Sequence, residues 1–151
     1  MTESMIRIGH AVRTATAADA PGIRFVDPLM RADPDRAHLI RSAVSAGECV
    51  VAVDGDEVLG FGILNYTFFQ QGFVPLLVVG VGSRRTGVGA ALLSELEGRC
   101  RKPKLYISAN RSNVPAQSLF EQCGFVPSGN IQNLDLGDDE LVYFKLVRPG
   151  P

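Results

Sequence analysis

The chain has 151 residues and a mass of 16.2 kDa, enough for one domain with a sizeable buried core. Hydrophobic residues make up 46% and charged ones 21%, which excludes a disordered chain. A formal net charge of −1 excludes a global pull toward nucleic acid or anionic membrane, so any attraction for a polyanion has to be local.

A short strand-like piece opens AVRTATAADAPGIRFVDPLM. Thr16, three residues before Asp19, then reads as a helix cap, with Ile23, Val26 and Met30 on one face and Pro21 in the first turns. In DPDRAHLIRSAVSAGE, Asp33 caps a second helix and Pro34 suits its first turn. Leu39, Ile40, Ala43 and Val44 form its stripe, and Gly47 ends it. Two β-rich runs then flank Asp54-Gly55, a strong hairpin signal. Phe73 to Val79 is a continuous apolar run of strand length, in which Pro75 demands a bulge or an unpaired position. Val88, Ala91, Leu92 and Leu96 recur at helical spacing up to Lys102-Pro103. KLYIS reads as a strand, VPAQSLFEQC as a helix ended by Gly124, and ELVYFKLV as a closing strand. No repeat or linker divides the chain, so one α/β (α+β) domain over 1–151 is expected.

Cys49, Cys100 and Cys123 are odd in number, with no paired spacing and no neighbouring histidine. Buried reduced thiols fit better than a disulfide framework, a nucleophile or a zinc site, and no metal is expected. MTESMIRIGH lacks the apolar core of a signal peptide, and no run approaches the ~18 apolar residues that suggest a membrane span. The expected location is the cytoplasm.

The stretch LLVVGVGSRRTGVGAALLSELEGR carries the functional signal. A helix N-terminus offers unpaired N–H groups and about half a unit of positive charge. Gly87 and Gly89 let an anion approach their amides, and Arg84 and Arg85 add guanidinium donors suited to phosphate. Val88 and Gly89 stand where a P-loop requires lysine and serine or threonine, and Arg85 stands where a dinucleotide fingerprint requires its third glycine. Both nucleotide readings therefore fail.

What remains, Arg84-x-x-Gly87-x-Gly89 after a buried strand, resembles the acyl-CoA pyrophosphate loop of the GNAT superfamily of N-acetyltransferases. NVPAQSLFEQCGF resembles the later segment of that family through Asn113, Ala116, Leu119, Phe120 and Gly124-Phe125. The order of elements matches from about Ala11 to Val147. The resemblance implies a mixed β-sheet flanked by about four helices, with splayed parallel strands forming an acyl-CoA cleft. Pantetheine would pair with the backbone of Leu77, Val78 and Val79. The pyrophosphate would rest on the loop of Arg84, Arg85, Thr86, Gly87, Val88, Gly89 and Ala90, with Asn113, Ser118 and Phe120 also near the cofactor. Acetyl-CoA would pass its acetyl group directly to an amine acceptor: a small molecule, an amino acid, or a protein lysine or N-terminus. Neither nucleic acid nor membrane is expected as a partner, and a homodimer remains open.

Plainer roles exist for several of these residues. Asn113 suits a helix cap, and Leu119 and Phe125 suit the core. The sequence also departs from the family at two positions. Phe120 stands where members commonly carry a tyrosine acid, and Pro75 occupies the slot of a frequent glutamate. Tyr143 and Glu140 are the substitute catalytic candidates. Asp135, Asp138 and Asp139 share an acidic cluster with Glu140 that reads equally as a solvated turn, and NYTFFQQGF reads as an acceptor-site border or as a strand end with a mobile loop. The two departures keep an alternative open: an acyl-CoA-binding sensor of the same fold without efficient turnover.

Overall fold

The structure is a computed structural model describing residues 10–147, so the N-terminal stretch MTESMIRIGH read above lies outside it apart from His10. Its strands are β1 (Ala11–Thr14), β2 (Cys49–Asp54), β3 (Glu57–Phe68), β4 (Gln71–Val79), β5 (Lys104–Asn110), β6 (Val126–Ile131) and β7 (Glu140–Leu146). Its helices are α1 (Ala20–Val26), α2 (Pro34–Ala46), α3 (Val88–Arg99) and α4 (Val114–Gln122). The strands form one mixed seven-stranded sheet in the order β1-β2-β3-β4-β5-β7-β6, with β4 and β5 parallel. The chain packs as two compact units: residues up to Ile63 with Leu76–Leu96, and Leu64–Pro75 with Glu97 onward. Strands β3 and β4 each contribute to both.

In the first unit, Ile23, Met30, Ile40 and Ala43 bury against Cys49, Val51, Val53, Phe61 and Ile63. The helix expected from Thr16 to Met30 is broken into a 3-10 turn, α1, and a second 3-10 turn, Pro28–Arg31. Pro28 is the cause: Asp27 before it leaves helical geometry, at φ −125° and ψ 80°. Met30 still buries from the second turn. Helix α2 follows its sequence signals closely. Asp33 accepts from the amides of Asp35 and Arg36 at 3.1 and 3.2 Å, and Gly47 closes the helix at φ +75°. The β2–β3 turn lies one residue later than expected, at Gly55-Asp56, because a bulge between Ala52 and Val53 shifts the register and leaves Asp54 paired with Glu57.

Asp19 ties β1 to the first helical turns. It accepts from the Thr16 amide at 2.8 Å and from both Arg13 guanidinium nitrogens at 2.8 and 2.9 Å. The Arg13 hydrogen bonds hold its carboxyl below the usual range, against an opposing push from burial. A carboxyl depressed on folding adds stability above its unfolded pKa and loses it as pH falls through the folded value. Asp19→Asn is therefore expected to lower stability by about 1–2 kcal/mol at neutral pH, with the gap to the parent closing in acid. Urea titrations at pH 7 and at the lowest folded pH check this.

In the second unit, β5 and β7 pair along their whole length, Lys104↔Leu146 to Asn110↔Glu140. Phe120 of α4 packs on Phe125 and Tyr143, and Lys145 reaches Glu97 at 2.9 Å and the Cys123 carbonyl at 2.8 Å. NYTFFQQGF is the end of β3, a two-residue turn with both Phe69 and Gln70 left-handed, at φ 53° and 64°, and the start of β4. Strand β6 carries no apolar alternation; it is exposed throughout and contains Pro127 and Gly129, yet pairs with β7.

Cys49 and Cys100 are buried and Cys123 is partly so. Burial, aided by the charge of Asp19, pushes the Cys49 thiol up to about 12, and burial likewise raises Cys123. Both stay protonated at neutral pH and are poor nucleophiles. Among the described residues, no helix is long and apolar enough to cross a membrane, and no group of three metal-ligating side chains comes together.

Candidate active site

In the first unit, Leu76 to Val79 of β4 are all part-exposed, unlike β2, where Cys49 to Val53 are buried. Gly60 of β3 makes room for this half-strand. A Cβ there would lie 2.6 Å from the Val78 carbonyl oxygen and 3.2 Å from the Val79 Cα. In the second unit, the parallel β4–β5 register runs from Gly72 to Val74, opposite Leu105 to Ile107. Pro75 follows at once, without an amide hydrogen to donate.

Beyond Val79 the Gly80 amide donates to the Leu59 carbonyl at 2.8 Å, and a 3-10 turn, Val81–Ser83, leads into the loop. The Thr86 hydroxyl donates to the Ser83 carbonyl. Arg85 at φ +65° and Gly87 at φ +87° are both left-handed and reverse the chain into α3. The first α3 hydrogen bond joins the Ala91 amide to the Gly87 carbonyl at 3.0 Å. The amides of Val88, Gly89 and Ala90 precede it and have no acceptor within the helix. Nothing lies within 4 Å of where a side chain would start on Gly82 or Gly87. Arg84 and Arg85 are exposed, and neither has a carboxylate partner among the described residues. Free amides, open space and two unneutralised guanidiniums suit a diphosphate.

In the second unit, the Asn113 side chain caps α4, accepting from the Ala116 amide at 3.2 Å. Ser118 is exposed on α4, whereas Phe120 is buried with its ring 5.4 Å from that of Tyr143 in a T-shaped contact. The Tyr143 hydroxyl donates to Glu121 Oε2 at 3.3 Å. Burial, then the negative charge of Glu121, raises its pKa, so the phenol keeps its proton at neutral pH.

Glu140 sits elsewhere. Its carboxylate accepts from Ser108 Oγ at 2.7 Å and from Asn110 Nδ2 at 3.1 Å. Residues three apart on a strand point to opposite faces, so Glu140 and Tyr143 do not form one contacting acid–base pair. The remaining acids brace the segment between β6 and β7. Asp138 accepts from the Ser112 amide and hydroxyl at 3.0 and 2.6 Å, Asp139 from Arg111 and Asn130, and Asp135 from Asn110. Ser108, Asn110 and Glu121 escaped the sequence reading. Alternation in KLYISAN was the available signal for the first two; Glu121 had none.

Residues 15–125 match the model of the Acetyltransferase (GNAT) family. The chain belongs to that family. GNAT acetyltransferases are acyl-CoA-dependent transferases. A GNAT-family acetyltransferase from Bacillus cereus ATCC 10987 is 29% identical, with a TM-score of 0.85 over 92% of this chain and 98% of that one. A GNAT acetyltransferase from Elizabethkingia anophelis with acetyl-CoA bound is 18% identical, with a TM-score of 0.72 over 92% and 99% of the two chains. The ribosomal-protein-alanine N-acetyltransferase from Brucella melitensis is 19% identical, with a TM-score of 0.73 over 91% and 99%. At such identities these last two share the fold alone. No curated protein sequence matches the chain significantly.

Proposed function

We propose that this GNAT protein transfers an acetyl group from acetyl-CoA to an amine acceptor, directly, in a ternary complex. The observation that carries the reading is the loop before α3, with its free amides and two arginines that have no carboxylate partner among the described residues, Arg84 donating through Nε to the Val79 carbonyl at 3.5 Å. Val88, Gly89 and Ala90 would hold the diphosphate by their amides, and Arg84 and Arg85 by charge. The backbone of Leu77 to Val79 would hold the pantetheine amides. When bound, acetyl-CoA supplies an activated acetyl group as a thioester.

The chain's own task is to align the amine, bind developing charge and move protons. Phe120 has no proton to give. Tyr143, packed against it and kept protonated, is the hydroxyl that supports the departing thiol. Glu140, fixed by Ser108 and Asn110 on the other face, would attract the acceptor ammonium by its charge and take its proton through water rather than in contact with the centre that Tyr143 serves. A lysine ammonium, at an ordinary pKa of ~10.4, needs such a proton path.

Calorimetry with acetyl-CoA, followed by thiol release across a panel of amines, tests the reading. Binding with turnover supports it, and absence of binding overturns it. Binding without turnover for any amine points instead to the acyl-CoA sensor, which Phe120 and Pro75 favour. Within the transferase reading, Tyr143→Phe is expected to lower kcat about tenfold while the KM for acetyl-CoA holds. Adding Phe120→Tyr should recover part of that loss. An unchanged kcat would remove Tyr143 from the chemistry.

A further inference from the structure

Across the second unit, aromatic rings form an unbroken row on one face of the sheet. Phe68 stacks on Phe73 with ring centroids 5.0 Å apart and meets Tyr106 at 5.2 Å, and Tyr106 stacks on Phe144 at 5.9 Å. All four stay part-exposed, and Phe69, with its ring 4.9 Å from that of Phe68, ends the row in solvent. Helix α4 lies against the other face, where Phe120 packs on Tyr143. Accessible apolar groups gathered in this way mark a contact surface.

The same face carries Glu140. Residues two apart on a strand share a face, and the β5–β7 register pairs Tyr106 with Phe144, Ser108 with Val142 and Asn110 with Glu140. The Glu140 carboxylate reaches toward the rings far enough to accept from Ser108 Oγ at 2.7 Å. Ser108 is two residues from Tyr106, about 7 Å of strand rise, and buried Val142 floors the space beside it. No cation pairs with Glu140 among the described residues. At the far end, two residues beyond Tyr106, Lys104 is exposed and has no carboxylate partner among the described residues. One positive charge therefore fits at Glu140, and a second one further along the face meets Lys104.

We propose that this face seats the acceptor, and that the acceptor is a monoamine with an aromatic ring about two or three bonds from its nitrogen, the reach that the strand spacing leaves. The ammonium sits at Glu140, and the ring lies against Tyr106 and Phe144, where ring–ring contact adds to burial. The assignment rests on the transferase reading above and narrows its acceptor. Neither a polyamine nor a plain alkylamine matches one anion followed by a row of rings. In the transfer a C–N bond replaces the thioester C–S bond. The ammonium gives up two protons, one to the departing thiolate and one to solvent.

The test compares thiol release from acetyl-CoA with phenethylamine, butylamine and diaminobutane, while calorimetry on the same sample reports acetyl-CoA binding. The kcat/KM for phenethylamine should exceed that for either other amine at least about tenfold. Tyr106→Leu with Phe144→Leu removes the rings but keeps apolar bulk, and circular dichroism checks its fold; the phenethylamine-to-butylamine ratio should drop below about threefold. Phe144→Leu alone, the milder change, should lower the ratio in the same direction. Equal kcat/KM for phenethylamine and butylamine, a preference for diaminobutane, or a ratio that both variants leave unchanged overturns the proposal. Self-association of the chain that Phe69→Ser abolishes would assign the row to a second copy and overturn it equally. Those outcomes leave the transferase reading standing; failure to bind acetyl-CoA, or to turn over any amine, sinks both.

Discussion

Reversing both loop charges, Arg84→Glu with Arg85→Glu, is expected to weaken acetyl-CoA binding about 100-fold. A charge-assisted hydrogen bond to phosphate contributes about 1.5–3 kcal/mol, and solvent exposure reduces that to about 1 kcal/mol for each arginine here. Repulsion by the new carboxylates adds a similar amount, for a total near 3 kcal/mol. Neither arginine has an ion-pair partner among the described residues, so folding loses little. Calorimetry at low and high salt checks the assignment, because the gap between parent and variant should shrink as salt screens exposed charge. Unchanged affinity at low salt would detach the loop from the diphosphate. The charge variant isolates binding better than a bulky residue at Gly89, which is buried in the first turn of α3 and would disturb packing too.

The second large effect is expected at Gly60→Ala. The added methyl would stand 2.6 Å from the Val78 carbonyl oxygen and 3.2 Å from the Val79 Cα, both backbone atoms that no rotamer change can remove. The strands must part, at a cost of about 3 kcal/mol, or roughly 10 °C in Tm for a domain of this size. Cofactor affinity should fall with it, because Leu77 to Val79 are the residues displaced. Gly98→Ala, in α3 with open space around it, should stabilise the protein by up to about 1 kcal/mol and so raise Tm by about 3 °C. Thermal unfolding of both variants, with calorimetry on Gly60→Ala, measures the pair. A Gly60→Ala protein as stable as its parent would mean that β4 can yield there.

Local signals made some elements legible and left others silent. Helix α2 was fully marked, since a capping Asp33, a first-turn Pro34 and a left-handed Gly47 each act within a few residues of themselves. The glycine-and-arginine loop before α3 was legible as a turn into a helix for the same reason: the residues that shape it are contiguous. Strand β6 was not, because an edge strand exposed on both faces needs no hydrophobic alternation, and its Pro127 and Gly129 read as loop. The hairpin at Phe69-Gln70 lacked the glycine or asparagine that would announce it. Catalytic candidates fared worst, because their partners arrive through pairing rather than sequence. Ser108 is 32 residues from Glu140, and only the β5–β7 register brings them together.

That hairpin carries a consequence for how robust the protein can be made. Left-handed backbone at two successive bulky residues holds roughly 1–3 kcal/mol of conformational tension at each, released by residues that tolerate positive φ. Asparagine and glycine at those two positions would therefore make the turn, and with it the protein, harder to unfold, and would remove an aromatic ring that is 81% exposed at the tip.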